Sequence, residues 1–493
     1  MPASVLVANR GEIAVRVIRT CRELGVRTIA VYSDVDRDAR HVAFADAAYP
    51  IGPAAPRESY LNAARIIEVA RRAGAEAIHP GYGFLSENAD FAEAVAAAGI
   101  TFVGPPAAVQ RLLGEKTAAR RLAREAEVPV AEGTDPLADV AAARAAAKKI
   151  GFPVLLKPAG GGGGKGMRLV SREADLEAAW RGATGEATTA FGQPALYLER
   201  AIESARHIEV QIFADRLGNA VWLGERDCSV QRRHQKLIEE TPAPSIDDRL
   251  RQALGAAAVR IAKAARYENA GTVEFLVEPS GRFYFLEVNT RLQVEHPVTE
   301  LVTGLDLVAL QLHVAGGEPL PFGQRDVTRT GAAIECRITA EDPFAKFLPA
   351  SGVIALAREP AGPGIRVDSA LFDGMSVPTD YDPLVAKVIA HGRDRGEALA
   401  RMRRALREMR VAGIPTSLPF HRFAFADGDF IAGRYDTTYV ERWDRREPPV
   451  LSDNAVAAAT IAATLATRAR TERRPAPTAD GAWTRAAREE ALR

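Results

Sequence analysis

Leu156-Lys157-Pro-Ala-Gly160-Gly-Gly-Gly-Gly164-Lys165-Gly166-Met167 is the stretch on which the fold turns. Five successive glycines carry no Cβ, so their backbone N–H groups can close over an anion, and a polyphosphate is the ligand such a cradle suits. The run is not a Walker A loop. Ala159 stands where its first glycine belongs, and Gly166 where a Ser or Thr would hold magnesium. A solvated glycine spacer would lack the apolar strand residues on both sides and the flanking Lys157 and Lys165. The run therefore reads as a loop between two strands, inside a lid-like segment of about residues 130–201.

Upstream, Val5-Leu-Val-Ala-Asn9, an amphipathic stretch Glu12 to Leu24 and Thr28-Ile-Ala-Val-Tyr32 read as strand, helix and strand. A helical pattern from Tyr60 to Ala73, a strand end near Ile78 and Ile100-Thr-Phe-Val103 continue a doubly wound α/β domain over residues 1–112. The first turn, Asn9-Arg-Gly-Glu12, has one glycine where a dinucleotide site needs three. Downstream, a helix from about Thr117 to Ala126 opens a second domain, 113–330, in which Val273 to Val277 and Phe283 to Asn289 read as paired strands. Residues 331–445, with a strand at Ala333 to Ile338 and a basic helix from Arg395 to Arg410, read as a third, α+β domain. Residues 446–493 read as a helical tail and linker, the start of a further domain.

The 493 residues carry 64 basic and 63 acidic side chains, so no bulk field draws the chain to nucleic acid or to an anionic membrane. Cys21, Cys228 and Cys336 are far apart and form no CxxC pair, which excludes a disulfide framework or a structural zinc site and suits a reducing, cytoplasmic setting. No targeting peptide or bilayer-length apolar run is evident.

Two further stretches carry chemistry. In Glu287-Val-Asn289-Thr-Arg291-Leu-Gln293-Val-Glu295, polar groups recur at every second position and share one face if the chain stays extended. Glu274 on the neighbouring strand adds a carboxylate beside Glu287 and Asn289, a donor set suited to Mg²⁺. The other stretch runs from Glu225 to Lys236 through Gln231 and His234, and is dense in cations that suit phosphoryl groups and bicarbonate. Read alone, it would equally serve as a basic surface loop, with Cys228 a packed thiol.

These runs, with His79-Pro-Gly-Tyr82-Gly83-Phe-Leu-Ser-Glu-Asn88, Glu335-Cys-Arg337-Ile-Thr-Ala-Glu-Asp-Pro343 and Tyr381-Asp-Pro-Leu-Val-Ala-Lys387, closely resemble the biotin carboxylase family over about residues 1–445. The resemblance implies an N-terminal pre-ATP-grasp domain, an ATP-grasp domain with a mobile glycine-rich lid and a C-terminal biotin carboxylase domain. It implies MgATP, or the manganese form, and bicarbonate as the means of carboxylating carrier-bound biotin through carboxyphosphate. This is the first half-reaction of an acetyl-, propionyl- or related acyl-CoA carboxylase.

By the same resemblance the nucleotide site comprises Lys116, Lys157, Gly162, Gly163, Gly164, Met167, Glu199, Ile202, His207, Gln231, His234 and Leu276. Glu274, Glu287 and Asn289 match metal ligands. Lys236, Arg291, Gln293, the Val294 backbone and Glu295 match the bicarbonate pocket, with Glu295 the base. Arg337 matches the residue that stabilises the biotin enolate, and Tyr82 and Gly83 shape the biotin pocket. Pro158 and Lys165 depart from many relatives. No Ala-Met-Lys-Met occurs, so the resemblance implies a biotinylated carrier outside these residues, a carboxyltransferase partner and a homodimer, with Arg16, Arg19 and Glu23 on one helical face at its interface or in solvent.

Overall fold

Alternating buried strands and amphipathic helices build the N-terminal layer. Strands β1 (Ser4–Val7), β2 (Arg27–Ser33), β3 (Ala47–Gly52), β4 (Ala77–His79) and β5 (Thr101–Phe102) form a parallel sheet in the order β3-β2-β1-β4-β5. Such near-continuous apolar strands are what a sheet covered by helices on both faces requires. The helix expected from Tyr60 begins instead at Ala63, because Asn62 caps it by accepting a hydrogen bond from the Arg65 amide. Tyr60 is spent on the core and on Asp36, to which its hydroxyl donates at 2.7 Å.

The computed structural model describes residues 1–159, 166–191 and 195–443, with Ile461 and Thr464. The glycine run from Gly160 to Lys165, and with it Gly162, Gly163 and Gly164, lies outside the described residues, as does nearly all of the expected 446–493 tail. On either side of the run, β6 (Val154–Pro158), β7 (Arg168–Val170) and β8 (Leu196–Arg200) form a small antiparallel sheet in the order β7-β6-β8.

The third sheet has eight strands: β9 (Arg206–Ala214), β10 (Ala220–Arg232), β11 (Gln235–Thr241), β12 (Asn269–Val277), β13 (Phe283–Asn289), β14 (Ala332–Thr339), β15 (Ile365–Ser369) and β16 (Leu384–Gly392). Their order is β13-β12-β9-β10-β11-β14-β16-β15, and each neighbouring pair is antiparallel. Residues on both sides of position 331 therefore share one sheet, and the β11–β14 pairing sets Glu239 opposite Glu335. The helix Gly11–Glu23 packs Val17 and Ile18 into a core that also holds Phe213, Leu292 and Leu307. Arg16 on this helix is buried, bonded to Glu300 at 2.8 Å and Asp306 at 2.9 Å within the chain, while Arg19 and Glu23 are exposed. The helix expected to reach Arg410 ends at Glu408, since Met409 turns extended and Arg410 starts a short strand.

Entry into β14 depends on Gly331. Its φ is +73°, and a Cβ there would meet the Gly392 carbonyl oxygen at 2.2 Å. Backbone cannot move aside as a side-chain tip would. Gly331→Ala is expected to destabilise the fold by about 2–4 kcal/mol, read as a melting temperature several degrees below wild type.

Candidate active site

One rung of the large sheet runs through charged residues on four adjacent strands. Arg226 on β10 stands opposite Glu209 on β9, Glu209 opposite Glu274 on β12, and Glu274 opposite Glu287 on β13. Directly opposed like charges destabilise a sheet, so three carboxylates in a row demand cations. Arg226 bonds Glu209, and Lys236 from β11 places Nζ 2.5 Å from Glu209, 2.8 Å from Glu274 and 2.7 Å from Glu295. His207 Nε2 lies 2.9 Å from Glu274, and Gln231 Nε2 3.4 Å from His207 Nδ1. Burial opposes the charge of both Lys236 and His207, but their carboxylate neighbours raise both above their ordinary values. The stretch 225–236 is thus a hairpin with a buried root, not a surface loop. Only its tip, Arg233 to Gln235, is exposed.

The donor set around Glu274 suits a hard divalent cation. Glu287 is raised above its ordinary value by burial and by the facing Glu274, which a shared cation would reverse. Asn289 donates to Glu274 at 2.8 Å, and turning its amide over would present the oxygen to a metal. The ligand atoms of His207, Glu209 and Glu274 also lie within 4.8 Å of one another, but Lys236 already contacts two of those carboxylates.

The extended reading of 287–295 fails after Asn289. Here the chain leaves the sheet, and Glu295 becomes the N-cap of a helix, His296–Thr303, with Pro297 in its first turn. The polar groups still converge, because the turn folds back over the strands. Arg291 donates to Glu87 at 2.9 Å and to Gln293 at 3.2 Å, while Gln293 Nε2 is buried with no partner among the described residues, an open donor for an anion. Glu295 accepts from Lys236 on one oxygen and from Arg337 Nη2, at 2.8 Å, on the other. Although burial works against it, those two cations with Arg226 hold Glu295 well below the usual carboxylate range. Cys228 Sγ lies 3.9 Å from Glu295, and burial pushes its thiol well up, which leaves it inert.

The other expected residues fall into two groups. Lys116 begins the helix Lys116–Glu125, and burial lowers its pKa. Lys157 on β6 and Arg120 both bond the buried Glu199 on β8. Met167, Ile202 and Leu276 are half-buried, and His234 is exposed at the β10–β11 tip. Tyr82 donates its hydroxyl to Glu12, next to Gly83 at φ +67°. Glu209 and Glu239 have no role that the sequence predicts, and Glu87, Glu12 and Lys387 lie in the motifs quoted above without one. The period-two row His207-Ile-Glu209-Val-Gln211 was the one available signal, pointing Glu209 to the same face as His207.

Biotin carboxylase N-terminal domain, carbamoyl-phosphate synthase L chain ATP-binding domain and biotin carboxylase C-terminal domain families match residues 1–109, 115–322 and 335–442. Biotin carboxylase 1 of Bacillus subtilis is 50% identical over 446 residues, 90% of this chain and 99% of that protein. The chain belongs to the biotin carboxylase family. Biotin carboxylase of Pseudomonas aeruginosa is 51% identical over 444 residues, 90% of this chain and 98% of that protein. The biotin carboxylase domain dimer of Hydrogenobacter thermophilus 2-oxoglutarate carboxylase, solved with MgADP, ADP and bicarbonate, superposes with a TM-score of 0.88 at 46% identity. That match covers 91% of this chain and all of that domain. Among the described residues, no single helix is long and apolar enough to cross a membrane.

Within this candidate site, Glu239 shares Arg337 with Glu295, and burial first, then the Glu295 charge, pushes its carboxyl from 4.5 up to about 7. A carboxyl raised in the folded state binds its proton at higher pH than in the unfolded chain, so folding gains from protonation. The stability advantage of wild type over Glu239→Gln should be largest below about pH 4.5 and vanish as pH rises through about 7, as thermal melts across that range will read.

Proposed function

We propose that this chain carboxylates biotin presented on a carrier protein, using MgATP and bicarbonate. The observation that carries the reading is Glu295, an anion fixed between Lys236 and Arg337 beside the Glu274–Glu287 pair. In this reading Lys116 and Lys157 lie at the phosphates, with Gly162, Gly163, Gly164 and Met167 of the lid above them, and Glu199 lines the nucleotide site. Ile202, His207, Gln231, His234 and Leu276 line the rest of the nucleotide site. Glu274, Glu287 and Asn289 hold the divalent ion, whose charge offsets that of the triphosphate. Divisions near residues 112, 330 and 445 then separate pre-ATP-grasp, ATP-grasp and C-terminal biotin carboxylase parts, with the lid at 130–201.

Bicarbonate sits against Lys236, Arg291, Gln293 and the Val294 backbone. Glu295 takes its proton, and the freed oxygen attacks the γ-phosphorus as ADP leaves, giving carboxyphosphate. Its breakdown releases CO2 and phosphate next to biotin; the phosphate takes the proton from the biotin ureido nitrogen, Arg337 stabilises the resulting enolate as a permanent planar cation, and that nitrogen bonds the CO2 carbon, with Tyr82 and Gly83 shaping the pocket. Carboxylated biotin then passes to a carboxyltransferase that chooses the final acceptor, an acyl-CoA such as acetyl- or propionyl-CoA, and the chain works as a homodimer. The match to a carbamoyl-phosphate synthase ATP-binding domain supports a second reading, activation of bicarbonate for an amine.

One assay separates the two readings: phosphate release from ATP with Mg²⁺ and bicarbonate, with free biotin or with ammonia added. Stimulation by biotin is expected; stimulation by ammonia and indifference to biotin would favour the second reading. Glu295→Ala and Arg337→Ala should each lower biotin-dependent turnover by about 10²–10⁴-fold and leave the KM for ATP within about threefold, since their roles lie in the chemical steps. A comparable loss of ATP affinity in the folded variants would contradict those roles.

A further inference from the structure

Lys387 on β16 is fully buried, and the sheet uses its ammonium as a junction. Its Nζ donates to the Val294 carbonyl at 2.8 Å, pairs with Glu12 at 3.1 Å and lies 3.9 Å from Asp368 on β15. Its cross-strand neighbour on β14 is Arg337, the residue that bonds the Glu295 carboxylate. Directly opposed residues of an antiparallel pair project to the same face of the sheet. Two cations in one register thus seize one residue from two sides, Arg337 by its side chain and Lys387 by the peptide carbonyl just before it.

Folding alone gives little reason for this arrangement. A buried ammonium is costly to desolvate, and an apolar side chain of similar volume often fills such a place with equal or greater stability. What an apolar side chain cannot do is bond a carbonyl and a carboxylate at once. Glu12 in turn accepts the Tyr82 hydroxyl, and the Tyr82 ring lies 5.8 Å from Nζ. Three segments remote in sequence therefore meet at one nitrogen: the first helix, the Tyr82–Gly83 loop and the turn that carries Glu295.

We propose that Lys387 is a positioning residue that locks the Val294–Glu295 turn in its reactive orientation and, through Glu12, holds Tyr82 in the same frame. The functional half of this inference rests on Glu295 acting in biotin carboxylation; the structural half does not. A small displacement of a reacting group costs about 10²-fold in rate. Loss of Lys387 should therefore fall on turnover rather than on ATP binding.

The test uses the full chain carrying Lys387→Met with Glu12→Gln, which removes the ammonium without stranding its buried partner. Two quantities are read against wild type: biotin-dependent phosphate release, and amide hydrogen exchange at residues 290–296 with the helix Arg395–Glu408 as internal control. Turnover is expected to fall about 100-fold at a KM for ATP within about threefold of wild type, and exchange at 290–296 to quicken about tenfold with the control helix unchanged. A folded double variant with unchanged exchange at 290–296, or with turnover near wild type, overturns the proposal. Should the double variant not fold, Lys387→Gln, polar but one atom shorter, carries the same expectations and the same refutation. Wild type that exchanges slowly at 290–296 but releases no biotin-dependent phosphate would sink the carboxylase reading, while the exchange comparison would still decide whether Lys387 holds the turn.

Discussion

Glu209, Glu239, Glu274, Glu295 and Glu335 are all withdrawn from water within one region of the large sheet, and that excess of buried carboxylate governs the rest of the site. At an effective dielectric of about 20, two such charges about 5 Å apart repel by about 3 kcal/mol. Lys236, Arg226 and Arg337, with Lys387 on the far side, offset part of this. The remainder is met by protons, since burial drives Glu335 well above the carboxylate range and Glu239 to about 7. A sheet in this condition is prepared to accept a cation at Glu274 and Glu287, because a divalent charge relieves repulsion that the fold otherwise carries.

The same excess explains why Lys236 and Arg337 are each shared. Lys236 reaches three carboxylates and Arg337 two, while Arg226 pairs with Glu209. Sharing holds Glu295 and Glu274 below the usual carboxylate range, while Glu239 and Glu335 are raised above it. Environments that push like groups apart in pKa are what divide acid from base roles among chemically identical side chains. Glu295 is thus held as an anion by its position, at the point where Lys236 from β11 and Arg337 from β14 both converge.

Much of this was legible in the sequence where a residue's role depends on its near neighbours. The pairing of the two strands across the Pro-Ser-Gly turn is legible, but Glu274 faces Glu287 only because a bulge between Glu274 and Phe275 shifts the register by one residue. Glu87 and Glu12 were not legible, because nothing within ten residues of either hints at Arg291 or Lys387. Alternation also misled beyond Asn289. Polar residues at every second position persist to Glu295 although the chain has left the sheet, since a turn can bring the same set together by folding back. The basic density of 225–236 concealed its partners, for Arg226 and Lys236 are balanced by acids on other strands.

Continuity of the sheet across residue 331 bears on how such a site keeps its geometry. Lys236, Arg337 and the Glu274–Glu287 pair stand on strands of one sheet, and Glu295 is pinned to two of those strands. Lys157 and Glu199 belong to the separate three-stranded sheet that flanks the glycine run. The residues that surround Glu295 are thereby fixed largely to a common frame, whereas Lys157 and Glu199 stand on another. Catalytic constellations need placement within about 0.5 Å, which ladder hydrogen bonds of a single sheet supply and a hinge between bodies does not.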